Sequence, residues 1–272
     1  MNRQPKKKDT QAVVRTEQAV VRTEPVAVAL VAQDLTPAPN KYYLLLNEQE
    51  SVAGAERLTR EDLTIPRMTL VQGTSQNLPA DCGGHLGEWF NTLTNEFRQS
   101  VEAVLMEVGK GRVAFDERFS ADSLPVCASD DALPPRPNYV GTEVVGVTIP
   151  TECADCPLAL FAADGCKPLC ALTYSYAFFD LESTLPFVVS AKRTGIVAAR
   201  QLNTIAKTMG RKRAVRLSSK RVQSDAGTYY EPVFSIGEET HPEIIDLVAD
   251  MTRAMRGNIG ARMKSAQSTV ED

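Results

Sequence analysis

With 272 residues, 43% of them hydrophobic, the chain holds enough apolar side chain for one large domain or two small ones. No window of eighteen apolar residues occurs, which excludes a helical membrane span, and no apolar run with a cleavage site follows the basic stretch Met1–Lys8; a soluble protein of the cytoplasm is expected. The formal net charge of −4 hides a local asymmetry, since Ser190–Val222 carries ten Lys/Arg and no Asp or Glu, the electrostatic footprint of a polyanion ligand.

In chain order, the first 40 residues contain a tandem heptapeptide, Gln11–Glu17 repeated as Gln18–Glu24, then a Pro/Ala-rich stretch. Two copies are too few for a solenoid or a coiled coil, so a disordered tail is expected over 1–40. One domain is expected over 41–257, with a metal-binding insertion at about 127–170, and a flexible tail over 258–272. Strand-like runs follow at Leu63–Gln72, at Val101–Val108 (also readable as a helix), and at Glu143–Ile149. In the run Ala171–Asp180, alternation puts Leu172, Tyr174, Tyr176 and Phe178 on one face, and Pro186–Ala191 follows as a hairpin partner.

Thr194 is the expected cap of a helix that runs to Met209 and stops at Gly210. Its apolar residues Ile196, Ala199, Leu202, Ile205, Ala206 and Met209 share one side, and Arg193, Arg200 and Lys207 fall roughly opposite. The basic segment continues through Arg211, Lys212, Arg213, Arg216, Lys220 and Arg221 as a strand or loop whose cations project to one face and track a phosphate backbone. Tyr229–Ile236 reads as a further strand. Thr240 and Glu243 make a capping box, with Pro242 in the first turn, opening a second helix that reaches Gly257. The whole is an α+β chain, mainly β.

Cysteines cluster in the middle. Cys153 and Cys156 form a C-x2-C pair before Pro157, with Cys127 upstream and Cys166 and Cys170 downstream. Such a turn points two thiolates at one centre, as tetrahedral zinc requires. Five cysteines compete for four positions: Cys153, Cys156, Cys166 and Cys170 form the compact set, and the other set uses Cys127 in place of Cys166 or Cys170. An iron–sulfur cluster also accepts four cysteines. Four thiolates close a coordination sphere, so the site reads as structural. Cys82, beside His85, is a bystander. No P-loop, G-x-S-x-G, H-E-x-x-H or G-x-G-x-x-G occurs, and no catalytic residue is assigned. Tyr174 and Tyr176 are candidates for stacking on bases, or else core residues.

Ile65-Pro66-Arg67 with Gln72-Gly73, Gly87-Glu88-Trp89-Phe90-Asn91, Cys127-x-Ser129-Asp130, Cys153-x2-Cys156-Pro157 and Cys170-x-Leu172-x-Tyr174 before Lys192-Arg193-Thr194 occur in that order. This order resembles a tailed-bacteriophage family of zinc-containing single-stranded-DNA-binding proteins, over about residues 63–236. The resemblance implies an OB-like β-barrel with an inserted zinc element, which the two helices read above would flank, a replication or recombination role beside other proteins of those processes, and no enzymatic activity. It also implies Cys127, Cys153, Cys156 and Cys170 as the zinc ligands, with Cys166 as substitute. Competing readings are a duplex-DNA regulator inserting the helix before Gly210 in a major groove, an iron–sulfur nuclease accessory protein, and a phage structural protein.

Overall fold

The computed structural model describes residues 57, 62–73, 75, 85–115, 124–161, 167–224 and 227–268. Within them the chain runs β1 (Met68–Leu70), β2 (Trp89–Asn91), β3 (Phe97–Arg98), β4 (Val101–Ala114), β5 (Cys127–Ser129), β6 (Glu143–Val144), β7 (Val147–Thr148), β8 (Cys170–Asp180) and β9 (Pro186–Lys192). A 3-10 turn, Arg193–Gly195, then leads into α1 (Ile196–Met209), followed by β10 (Arg213–Ser224), β11 (Gly227–Glu239) and α2 (Pro242–Ser268). The class is α+β, mainly β, as expected.

The main sheet has six strands in the order β11-β10-β4-β8-β9, with β5 also paired to β4, and its pairings are antiparallel. β8 lies between β4 and β9 and is buried on both faces. Tyr176 and Phe178 face α1 and the small sheet β1-β2-β3, together with Trp89, Leu202, Leu217 and Phe234. Ala177 and Phe179 face α2, whose Ile244, Val248, Ile259 and Met263 cover the opposite side. The molecule is thus layered, with α2 on one face of the sheet and α1 with the small sheet on the other.

Among the described residues the main sheet does not close into a barrel by a strand ladder. The small sheet instead ties its two edges together through single contacts. At β9, Arg67 bridges Val188 and the Val188 N–H donates to Pro66 O at 2.9 Å. At the β10–β11 hairpin, the Ser219 hydroxyl donates to Gly87 O at 2.5 Å, and Gln72 bonds Tyr230.

Several boundaries differ from the sequence reading. Only Met68–Leu70 of the run 63–72 is a strand, since Pro66 lacks the N–H that a ladder needs. The run 143–149 is a small hairpin turning at Val145 and Gly146, both at positive φ (50° and 73°), the geometry of a two-residue primed turn. Thr194 does not cap α1. The N-cap is Gly195, and no side chain caps it. The expected flexible tail over 258–272 is corrected in its first part: α2 continues through Gly257 and Gly260 to Ser268. A helical glycine costs about 1 kcal/mol relative to Ala. Burial of Ile259, Met263 and Ala266 in the core outweighs this, at about 1.5–3 kcal/mol for each large side chain. The heptapeptide repeat, the tail 1–40, Cys82, Cys166 and residues 269–272 lie outside the described residues.

Candidate metal centre and nucleic-acid interface

Strand register brings two of the predicted ligands together. Ala114, the last residue of β4, pairs with Cys127 on one side and Cys170 on the other. Directly opposed residues share a sheet face, so the two thiols flank the small methyl of Ala114. Cys153 and Cys156 come from a 3-10 turn above that face, anchored by the Cys153 N–H donating to Leu133 O at 2.7 Å. All four cysteines are buried and free, and they line one cavity of about 10 Å³ with Pro135, Ile149, Pro150 and Glu152.

Burial pushes the Cys127 thiol up to about 11, helped by Cys153 and Cys156. Cys170 is pushed up to about 12, mainly by burial, with Arg112 opposing. Burial also raises Cys153, against a hydrogen bond from Ser129 and the charge of Arg112. Without a cation the thiols of Cys127, Cys153 and Cys170 therefore keep their protons at neutral pH. Arg112 lies two residues before Ala114 on the same strand face, and its buried Nε has no hydrogen-bond partner. Its charge would oppose that of an assembled thiolate cluster. Among the described residues, no three His, Cys, Asp or Glu side chains stand in coordinating geometry as they are. The donor chemistry fits a thiolate-loving ion, while bringing the sulfurs onto one centre requires side-chain rotation.

The predicted cations do not share one surface. On β10, Val215 and Leu217 face the α1 side, so Arg221 belongs to that face and Arg216 and Lys220 to the α2 side. Lys220 pairs with Glu231 at 2.8 Å, and Arg216 stands 3.8 Å from Glu102. Arg211 donates to Leu105 O and Met106 O, and to the Thr252 hydroxyl, clasping α2 to β4. Both Nε and Nη2 of Arg213 donate to Gly237 O. These two half-buried guanidiniums serve the fold through main-chain carbonyls. Arg193, Arg200, Lys207, Lys212 and Arg221 are exposed.

Of its two readings, base stacking or core, Tyr176 takes the core. Its ring is 0% exposed, and its hydroxyl lies within hydrogen-bond distance of Ala199 O and Asn203 Oδ1, so it fastens α1 to the sheet and offers no face to a base. Tyr174 is half-buried, packs on the same core and stacks on Tyr176 at 6.3 Å between centroids.

A cleft with a volume of about 370 Å³ does join cations to aromatics. Lys167, Lys192 and Arg193 line it with Trp89, Tyr229 and Tyr230, where the turn into α1 meets β11 and the small sheet. Sequence reasoning gave Lys167, Trp89, Tyr229 and Tyr230 no site role, although the sole tryptophan and the Tyr229-Tyr230 pair were visible. Arg112 was missed too; its signal was the alternation with Ala114. No protein family, curated protein or solved structure matches the chain. No described helix is long and apolar enough to cross a membrane.

Proposed function

We propose that this chain is a sequence-tolerant single-stranded-DNA-binding protein of phage-type replication or recombination, not an enzyme, acting in the host-cell cytoplasm beside other proteins of those processes. The observation that carries the reading is the cleft, where Lys167, Lys192 and Arg193 stand with Tyr229 and Tyr230 around one open volume. Cations hold phosphates whatever the sequence, and every base presents a π-face to an aromatic ring. Arg200 and Lys207, exposed on α1, extend the charge away from the cleft. In this reading the small sheet completes an OB-like barrel through its contacts with both edges of the main sheet, and the strand lies across its open side.

Cys127, Cys153, Cys156 and Cys170 hold one Zn²⁺ in the same reading. The ion supplies the charge that keeps four buried thiolates deprotonated, and it fastens β5, β8 and the 153–156 turn into one unit. Tetrahedral zinc takes four thiolates at one centre, the donor set that the 153–156 turn offers with Cys127 and Cys170. Because four sulfurs complete the sphere, no position is left for catalytic water.

Fluorescence anisotropy with single-stranded and duplex oligonucleotides of matched length, over a salt series, tests the reading. Single strand should bind more tightly and with little sequence preference, with log K falling against log[salt] by about 0.7 per contacted phosphate. Tighter, sequence-dependent duplex binding would move the assignment to a regulator. Metal analysis of the same preparation should give about one zinc per chain.

A further inference from the structure

We infer that the cleft at the start of α1 is a pocket for one unpaired nucleotide, its phosphate at the helix start and its base edge on the indole N–H of Trp89. The inference rests on the single-strand reading above and names what enters the site. Trp89 is 2% exposed and lines the cleft, yet its Nε1 has no hydrogen-bond partner. A buried indole N–H ordinarily finds an acceptor, because leaving it bare forfeits its hydration without return.

Independent features around the same cleft suit an anion. The 14-residue helix α1 begins at Gly195 with no side-chain cap, and the 3-10 turn before it begins at Lys192, also without one. Thr194 and Gly195 of that turn line the cleft. The Ile196 N–H donates to Arg193 O, and the dipole of the 14-residue α1 favours a phosphate at this end. Exposed Lys167 and Arg193 add charge. Arg193 is held at φ 48°, a conformation rare outside glycine that recurs where a ligand site dictates the backbone.

The chemistry sets the class of nucleotide. A volume of about 370 Å³ lies at the small end of ligand sites and has room for one nucleotide. Pyrimidine O2 and purine N3 are acceptors, so one N–H donor serves any base. A base within a duplex is stacked and paired, and must be extruded before it enters. The pocket therefore selects single strands without selecting sequence.

Trp89 is the only tryptophan, so indole emission of the intact protein reports on this cleft alone. The probe is a labelled thymine oligonucleotide at low salt, with emission and anisotropy followed in one titration. Both should change with a common midpoint, and thymidine 5′-monophosphate at millimolar concentration should produce the same emission change and compete. Trp89→Phe should weaken the oligonucleotide about tenfold, and Lys167→Ala, at an exposed position, should weaken it by a smaller factor in a folded protein. Rising anisotropy with constant emission would overturn the pocket while the single-strand reading stands. Absence of any anisotropy change would remove that reading and the pocket together.

Discussion

Gln72 bonds the main chain of Tyr230 twice: Nε2 donates to the Tyr230 carbonyl at 2.7 Å, and the Tyr230 N–H donates to Oε1 at 2.9 Å. The amide thus imitates a neighbouring strand at the exposed edge of β11, where a main-chain ladder would otherwise end. Gly87, at φ 84°, makes the approach feasible, because a Cβ there would run into the Tyr230 ring. One side of the cleft is held by these contacts.

Gln72→Ala should therefore loosen the outer part of the hairpin. We expect a loss of about 1–3 kcal/mol in global stability and faster exchange of the Tyr230 amide, with weaker oligonucleotide binding. Hydrogen exchange with chemical denaturation measures both. Retained Tyr230 protection would show that the arm is held elsewhere.

Cations of the basic segment should separate into two groups. Arg211→Ala and Arg213→Ala remove guanidiniums that donate to main-chain carbonyls, and each should cost about 1–3 kcal/mol of stability. Arg200→Ala and Lys207→Ala should leave stability within about 0.5 kcal/mol and flatten the salt dependence by about 0.7 for each phosphate no longer neutralised. Denaturation curves paired with salt-series anisotropy distinguish the groups.

The tyrosines should divide in the same way. Tyr176→Phe deletes the hydroxyl that meets Ala199 and Asn203, so stability should fall by about 1 kcal/mol with affinity unchanged. Tyr229→Ala should weaken single-strand binding by about 1–3 kcal/mol at nearly constant salt slope. A large affinity loss in folded Tyr176→Phe would reverse the core assignment.

Metal-free protein should lose stability at alkaline pH. Cys127 and Cys170 are raised from 9.0 to about 11 and about 12 in the fold, so above pH 9 the unfolded chain releases these protons first. Stability contributed by the buried neutral thiols is complete below pH 9 and is lost as pH rises through 11 and 12. Zinc, which binds the deprotonated forms, should abolish this loss and should bind more tightly as pH rises. Thermal unfolding with reductant, with chelator or with zinc, across pH 7–11 gives the comparison. Cys153→Ser should abolish zinc uptake.

Local chemistry made much of the fold legible. Alternation in Ala171–Asp180 identified the face carrying Tyr176 and Phe178, and Gly210 ended α1 as expected. The C-x2-C turn with Cys127 and Cys170 marked four thiols that do surround one cavity. These features depend on spacing within a few residues or on residue type.

Sequence by itself determined the two helices and the longer strands, the cysteine cluster and the amount of positive charge. Tertiary structure decided which cations are engaged, because the carbonyls met by Arg211 belong to β4, about a hundred residues earlier in the chain, and that met by Arg213 to the facing strand β11. Packing also claimed Tyr176, since α1 and the small sheet cover the face that it shares with Phe178. Lys167, Trp89 and Tyr230 meet only where separate layers close on one another. That juxtaposition is a long-range packing outcome, and no periodicity in a single segment encodes it.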